Sequence, residues 1–213
     1  MNEFIQSVLF IGSGIQLTLA LLCGGLLCGL TLGTLLSILR YKNIGNMIIN
    51  RFISIMRGTP LILQLSFVYF SFATITGLQI TILTAGILTF GLNSAAYIAE
   101  IIKAGINSLP KGQFEAAASL HIPTLYMWKD IILPQVIKNV FPALINETIA
   151  LLKETALIST IGGMDIMRKA QSVSAEHFTY FLPLCIAGIY YYILVLCIEY
   201  LGNKYTTKEN IHA

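Results

Sequence analysis

The chain has 213 residues, of which 56% are hydrophobic and only 11% are Asp, Glu, Lys or Arg, and its formal net charge is +3. An ordinary soluble domain carries about 25% charged residues, so a water-soluble globular domain is excluded and a membrane protein is implied. So slight a basic excess gives no reason to expect a nucleic-acid partner.

Two runs contain no Asp, Glu, Lys or Arg at all, Phe4 to Leu39 and Gly58 to Ala99. Both exceed the roughly 20 apolar residues that a bilayer demands. Met1-Asn2-Glu3 lacks the basic start of a signal peptide, and the apolar stretch behind it is too long for a signal core, so the first span is expected to be retained. That span covers about Ile15 to Leu39 and carries Gly25, Gly29 and Gly33 in one helical stripe. Such a stripe lets a second backbone approach closely, which drives helix association in lipid. Spacing leaves open whether the neighbour lies in this chain or in a second subunit.

Arg57-Gly58-Thr59-Pro60 reads as a helix start at a membrane edge, with Thr59 as cap, Pro60 as first helical residue and Arg57 reaching to lipid phosphates. The second span follows over Gly58 to Thr76. Thr76-Gly77-Leu78-Gln79 forms a tight hairpin, and the third span runs from about Ile80 to Ile102.

Between the third and fourth spans lies a water-seeking stretch, Gln113 to Gln135. Gly112 to Leu120 is a short helix with small residues at Ala116, Ala117 and Ala118, ending at His121; Pro123 blocks simple continuation and a second helix starts near Thr124. Its small-residue face suits docking into a partner's groove or folding back on its own bundle.

The fourth span, about Val136 to Ile161, holds Asn146, Glu147, Lys153 and Glu154, which at 100° per residue fall within an arc of about 120°. Leu144, Ile145, Leu151 and Leu152 take the other side. A charge at membrane depth costs from about 2.5 kcal/mol upward, so these groups belong on a watery path or in a buried ion-pair network rather than against lipid. The span ends at Gly162-Gly163. Asp165 then either lines the mouth of a polar path, where it would suit a cationic substrate, or caps the next helix. Phe181 to Tyr200 is the fifth span.

Five spans put the two ends on opposite sides of the membrane. Ten of the thirteen Lys and Arg residues fall beside the first loop, the third loop or the tail, and Lys153, Arg168 and Lys169 fall elsewhere. That bias places the amino terminus outside and both the Gln113 to Gln135 loop and the carboxyl terminus in the cytoplasm.

Cys23, Cys28, Cys185 and Cys197 sit inside spans with no C-x-x-C pair and read as small apolar fillers. His121, His177 and His212 are scattered, and there is no H-E-x-x-H, nucleophile elbow or P-loop. No catalytic residue, metal site or cofactor of its own is therefore expected, and residues 1–213 read as one transmembrane domain.

Glu115-Ala116-Ala117, a turn at position 121, Ile131 and Leu133-Pro134 together resemble the EAA loop of ABC importer permeases, with matching spacing. Arg57-Gly58-Thr59-Pro60-Leu61, Asn93 to Glu100 (NSAAYIAE), Pro110 to Gln113 (PKGQ), Leu133-Pro134-Gln135 and Leu152 to Leu157 (LKETAL) resemble the polar amino acid subfamily in particular. The likeness covers about residues 12–200, with the EAA loop at about 111–135.

The resemblance implies an all-α membrane protein of the type I ABC importer permease kind, with five transmembrane helices and a cytoplasmic coupling-helix loop. It implies a bacterial cytoplasmic (inner) membrane protein that forms an amino acid path by alternating access. Its partners would be an ABC ATPase, an extracytoplasmic amino acid-binding protein, a second permease subunit in a homodimer or heterodimer, and membrane lipid, and ATP would be used by the ATPase alone. Gly112, Gln113, Glu115, Ala116, Ala117 and His121 would couple to that ATPase. Gln64, Asn146, Glu147, Lys153, Glu154 and Asp165 would line the path. The alternative is a membrane scaffold or assembly subunit without transport activity. Two positions depart from the family pattern: His121 stands where the loop has Gly, and Asp165 where Glu is usual.

Overall fold

The computed structural model describes residues 2–77 and 79–211, and no strand occurs among them. The hairpin expected at Thr76-Gly77-Leu78-Gln79 therefore lies partly outside the described residues, as does His212. In chain order the helices begin with α1 (Asn2–Gly12) and α2 (Ile15–Tyr41), then α3 (Asn46–Gly58), α4 (Leu61–Ser66) and α5 (Phe72–Thr76), with a π-helical segment Phe67–Ser71 joining the last two. They continue with α6 (Ile82–Asn107), α7 (Lys111–Ser119) and α8 (Thr124–Tyr126), and the π-helical Met127–Ile132 leads into α9 (Leu133–Glu154). A 3-10 segment, Thr155–Ile161, then precedes α10 (Ile166–His177) and α11 (Phe181–Ile211).

Among the described residues, three helical stretches are long and apolar enough to cross a membrane: Glu3–Tyr41, Ile82–Asn107 and Phe181–Lys204. A fourth crossing is available to Asn46–Gly58 with Leu61–Thr76, a pair bent by 105°. The expected fourth span falls on α9 and its 3-10 extension, a helix that Glu147, Lys153 and Glu154 keep out of the set apolar enough to cross a membrane among the described residues. It is therefore placed by its packing between the other helices, not by its hydropathy. The sequence reading missed α1 and α3. The first is set off from α2 by Ser13-Gly14, and the second is amphipathic, burying Ile49 and Ile53 against Ala96 and Ala99 of α6.

The centre of the bundle is the contact of α2 with α6. A Cβ added at Gly29 would lie 2.9 Å from the Ser94 side chain, and one at Gly33 would lie 2.9 Å from both the Ala95 carbonyl oxygen and Ile98 Cβ. At Gly25 the nearest neighbour is Phe90 Cβ at 3.3 Å. The stripe is thus used within the chain. α6 answers with small residues of its own, since a Cβ at Gly91 would meet Cys28 at 2.6 Å. The main core closes over this seam: Leu21 and Leu22 from α2, Leu65 from α4, Phe90 from α6, Leu151 and Leu152 from α9, and Ile158 and Ile161 behind them. A second core joins α1, α10 and α11 through Ile11, Ile166, Val173 and Ile186, with the Tyr190 hydroxyl donating to the Val8 carbonyl at 3.0 Å.

The Arg57 to Pro60 segment departs from expectation. Pro60, not Thr59, holds the cap position before Leu61, and the Thr59 hydroxyl instead donates back to the Ile55 carbonyl at 2.9 Å. Arg57 is taken up by protein: its Nη1 lies 3.9 Å from Glu100 Oε2 and its guanidinium stacks 5.2 Å from the Tyr97 ring centre. A cation this close to a carboxylate and an aromatic face has less to gain from lipid phosphates.

The α2–α6 seam leaves no room for a branched side chain. Gly33→Val is expected to destabilise the chain by about 1–3 kcal/mol, because the opposing atoms include a backbone carbonyl that cannot swing aside. Gly188→Ala on α11, where an added Cβ meets nothing within 4 Å, serves as control. Thermal unfolding of the solubilised variants should show a lowered midpoint for the first and an unchanged one for the second.

Candidate functional site

Two groups of expected site residues occupy two different places, joined by one continuous helical run from Thr124 to Glu154. At its start stands the loop. α7 begins behind Pro110, and its Gln113 exchanges two amide hydrogen bonds with Gln135 of α9, at 2.9 and 2.8 Å, while Gln135 also donates to the Ile131 carbonyl at 2.7 Å. Ala117 is 2% exposed and faces inward. Gly112, Glu115, Ala116, Ala118 and His121 are exposed, and Leu120 is 74% exposed. α7 and its closing turn thus expose one acidic residue, Glu115, beside small and apolar ones.

Below α7 an aromatic seat fixes the loop to the bundle. Trp128 packs edge-on against Tyr41 at the end of α2, with ring centres 4.7 Å apart, and against Phe114 at 6.3 Å. Leu109, Ile132, Val136 and Val140 form the apolar cluster beneath. The π-helical turn Met127–Ile132 lies at this seat, an irregularity that recurs at functional sites.

α7 ends as the sequence requires of a helix that must turn at once. His121 adopts φ 52°, its N–H donates to the Ala118 carbonyl at 3.0 Å, and the N–H of Ile122 donates to the Ala117 carbonyl at 3.0 Å. This paired closure is the Schellman arrangement, in which the left-handed position usually holds glycine. The imidazole is exposed and makes no hydrogen bond among the described residues.

At the other end of the run stands the polar face of α9. Glu147 Oε1 accepts a hydrogen bond from the Ser94 hydroxyl of α6 at 2.7 Å. Glu147 and Glu154 are half-buried, and Asn146 and Lys153 are exposed. Leu151 and Leu152, on the opposite side, are fully buried in the main core. On the arc, Asn146 and Lys153 are therefore open, while Glu147 turns toward α6. The arc gathers two carboxylates, an ammonium and an amide along one helix face.

The structure separates Gln64 and Asp165 from that arrangement. The Gln64 amide donates to the carbonyl of Met56 at 2.9 Å and to the Thr59 hydroxyl at 2.8 Å, and its oxygen accepts from Asn93 at 3.4 Å; Asn93 also donates to Met56 at 3.1 Å. These bonds satisfy the last carbonyls of α3 and hold the bend into α4. Asp165 is 0% exposed and caps α10, with Oδ1 accepting from the Arg168 N–H at 2.8 Å and Oδ2 from the Tyr191 hydroxyl at 3.0 Å. Burial pushes its carboxyl above the ordinary range, and the hydrogen bonds from Arg168 and Tyr191 oppose that shift.

Sequence reasoning did not single out Ser94 or the ion cluster at Glu100. Arg40 of α2 hydrogen-bonds Glu100 through Nη1, so one carboxylate holds the ends of α2 and α3 on α6. Asn93, Tyr97 and Glu100 recur at helical spacing, and that periodicity is the signal that marks one polar face.

A polar face on a bundle helix and an exposed helix tied to the start of the same helical run are thus brought together by the Gln113–Gln135 pair. Residues 25–204 match the family described as the binding-protein-dependent transport system inner membrane component. The chain belongs to this family, whose members work with a binding protein and an ATPase, and its fold is that of type I ABC importer permeases. It is 47% identical over 203 residues to a putative glutamine transport system permease protein of Rickettsia felis, covering 94% of this chain and 93% of that protein. It is 42% identical over 206 residues to the arginine transport system permease protein of Bacillus subtilis, covering 96% and 94%. Among solved structures, an amino acid ABC transporter with histidines superposes with a TM-score of 0.89 at 33% identity, covering 97% of each chain. An inward-facing methionine ABC transporter superposes with a TM-score of 0.71 over 96% and 95% of the chains; at 18% identity this shows the fold alone.

His121 has no partner that glycine would lose. His121→Gly is therefore expected to leave transport coupling unchanged and to hold loop stability equal or improve it by roughly 0.5–1 kcal/mol, since glycine relieves the left-handed strain but frees the unfolded chain. Coupled uptake and thermal unfolding, measured side by side, check both halves; reduced uptake at normal membrane levels would reveal a contact made by the imidazole.

Proposed function

We propose that this chain is the permease subunit of an ATP-driven importer of polar amino acids in a bacterial inner membrane. Its amino terminus lies outside and its carboxyl terminus in the cytoplasm, in keeping with the Lys and Arg bias. It pairs with a second permease subunit, identical or closely similar. An extracytoplasmic binding protein delivers the amino acid, and a separate ATPase docks on α7 and carries out the hydrolysis. The chain itself contributes no catalytic group.

The observation that carries this reading is the single helical rod from Thr124 to Glu154. One end is locked to α7 by the Gln113–Gln135 amide pair, and the other bears Glu147, Lys153 and Glu154. A push on α7 therefore reaches the polar face along one unbroken helical run, in which Pro142 is an interior proline between Gln135 and Glu147. Closure of the ATPase dimer moves α7, the rod follows, and the path changes which side it opens to, as alternating access requires.

The chemistry of the face favours a zwitterionic or cationic amino acid. Glu147 and Glu154 attract an ammonium or guanidinium group, while Lys153 and Asn146 answer a carboxylate. Relatives named for glutamine and for arginine support a polar substrate of this size. Asp165, with both oxygens engaged by Arg168 and Tyr191, contributes to the path by holding α10 against α11. Gln64 contributes by holding the bend between α3 and α4.

Proteoliposomes containing the chain, its ATPase and its binding protein should take up labelled amino acid only with ATP. Glu115→Lys reverses the charge that α7 presents and is expected to reduce uptake to background while the chain still inserts in the membrane. Normal uptake by that variant would refute the docking role. Glu147→Gln keeps an acceptor for Ser94 but removes the charge, and uptake of a cationic amino acid should fall by about tenfold or more, the worth of a charged hydrogen bond. Glu147→Gln should leave the ATPase bound to the chain, as measured by co-purification.

A further inference from the structure

We propose that the cavity between the loop-side ends of α2 and α6 binds the phosphate headgroup of an anionic membrane lipid. It is a cavity of about 220 Å³ lined by Ser37, Arg40 and Tyr41 from α2 and by Lys103, Ile106 and Asn107 from α6. None of these residues belongs to the coupling loop or the polar face of α9.

Charge comes first. Arg40, Arg57 and Lys103 surround one carboxylate, Glu100, and this cluster is positive on balance. Arg57 lies against Glu100 from the α3 side and stacks on Tyr97, while Arg40 and Lys103 line the cavity. The Arg40 side chain is only 15% exposed, and its hydrogen bond to Glu100 uses Nη1 alone among five N–H donors. Lys103 lies within 4 Å of no carboxylate among the described residues. A guanidinium fork beside an ammonium suits phosphate oxygens, the first in pairs and the second as a point charge. The Tyr41 hydroxyl and the Asn107 amide make no hydrogen bond among the described residues and can meet a headgroup's hydroxyls.

Depth identifies the source of that phosphate. Arg40 is the first charge after the uncharged run Phe4 to Leu39, and Glu100 is the first after Gly58 to Ala99, with Lys103 one turn on. Both helices therefore leave the hydrocarbon at this cavity. Basic pockets between membrane helices at this level bind lipid headgroups. That this is the cytoplasmic leaflet rests on the orientation proposed above.

Occupancy is felt at the loop, because Tyr41 of the cavity wall is also half of the Trp128 seat. Trp128 is the chain's one tryptophan and so reports on the site directly. The full-length chain in phosphatidylcholine nanodiscs would be titrated with phosphatidylglycerol while Trp128 emission is followed. A saturating change is expected with phosphatidylglycerol and none with further phosphatidylcholine. Lys103→Gln should weaken the response by about fivefold, the contribution of one base at an anionic surface. Lys204→Gln, away from the cavity, should leave it unchanged. If Lys103→Gln does not fold, Asn107→Leu, which keeps every charge, should weaken the response instead. An equal response in the wild type and the cavity variant overturns the site, and an equally saturating change with inorganic phosphate overturns the lipid as its occupant. Binding is read on the chain alone, so an intact lipid response with no ATP-driven uptake counts against the proposed function and not against this site.

Discussion

Two helices in a bilayer gain nothing from hydrophobic burial against each other, because lipid tails are as apolar as leucine. The contact between α2 and α6 must instead come from close van der Waals fit, and Gly25, Gly29, Gly33 and Gly91 supply it by bringing the two backbones together. The other helices are placed by that seam. α9 packs Leu151 and Leu152 across it, α3 packs Ile49 and Ile53 on the small residues Ala96 and Ala99 further along α6, and Glu100 at the end of α6 gathers Arg40 and Arg57. Were the seam looser, Ser94 would move away from Glu147, and the polar face would lose the hydrogen bond that orients it.

With α6 fixed in this way, polar groups divide by where their hydrogen bonds go. Gln64, Asn93 and Asp165 spend theirs inside the chain, on helix ends whose backbone groups would otherwise be buried unpaired. The charged groups of the α9 arc do not: Glu147 is tied once, to Ser94, while Asn146 and Lys153 stand exposed. A buried charge with a single tie is poor structural cement but a good ligand, since it remains able to exchange its partner. That difference, more than the presence of charge as such, separates residues that hold the bundle from those the proposed function assigns to a path.

Much of this was legible in the sequence, for physical reasons that can be named. The uncharged runs fixed where α2 and α6 lie because hydrocarbon tolerates no stray charge. The polar arc followed from helical periodicity, and the turn at His121 from the need for a left-handed residue after a short helix. What stayed hidden depended on contacts between distant segments. α3 is too amphipathic to read as a span, and its apolar face has meaning only once Ala96 and Ala99 are opposite. Gln64 lies in an uncharged run and gives no hint that its amide closes the end of the preceding helix. Arg57 looked like a lipid anchor because sequence shows the membrane edge but not Glu100 and Tyr97, 43 and 40 residues further on.

The same reasoning explains why charged groups can gather at the loop-side end of the molecule. Arg40, Arg57, Glu100 and Lys103 meet where α2, α3 and α6 leave the hydrocarbon, and Tyr41, Phe114 and Trp128 join that cluster to the coupling loop. Exposed ion pairs alone contribute little. These are partly sheltered, share one carboxylate and sit on helix ends that close packing has already fixed, so little further side-chain freedom is lost in forming them. α7 and the root of the Thr124 to Glu154 rod both stand on this base, through Phe114, Trp128 and the Gln113–Gln135 amide pair. Two breaks beyond this base are held as well: the 105° bend between α3 and α4 by the Gln64 and Asn93 hydrogen bonds, and the 3-10 segment Thr155–Ile161 just past Glu154 by burial of Thr155 and of Ile158 and Ile161 in the main core.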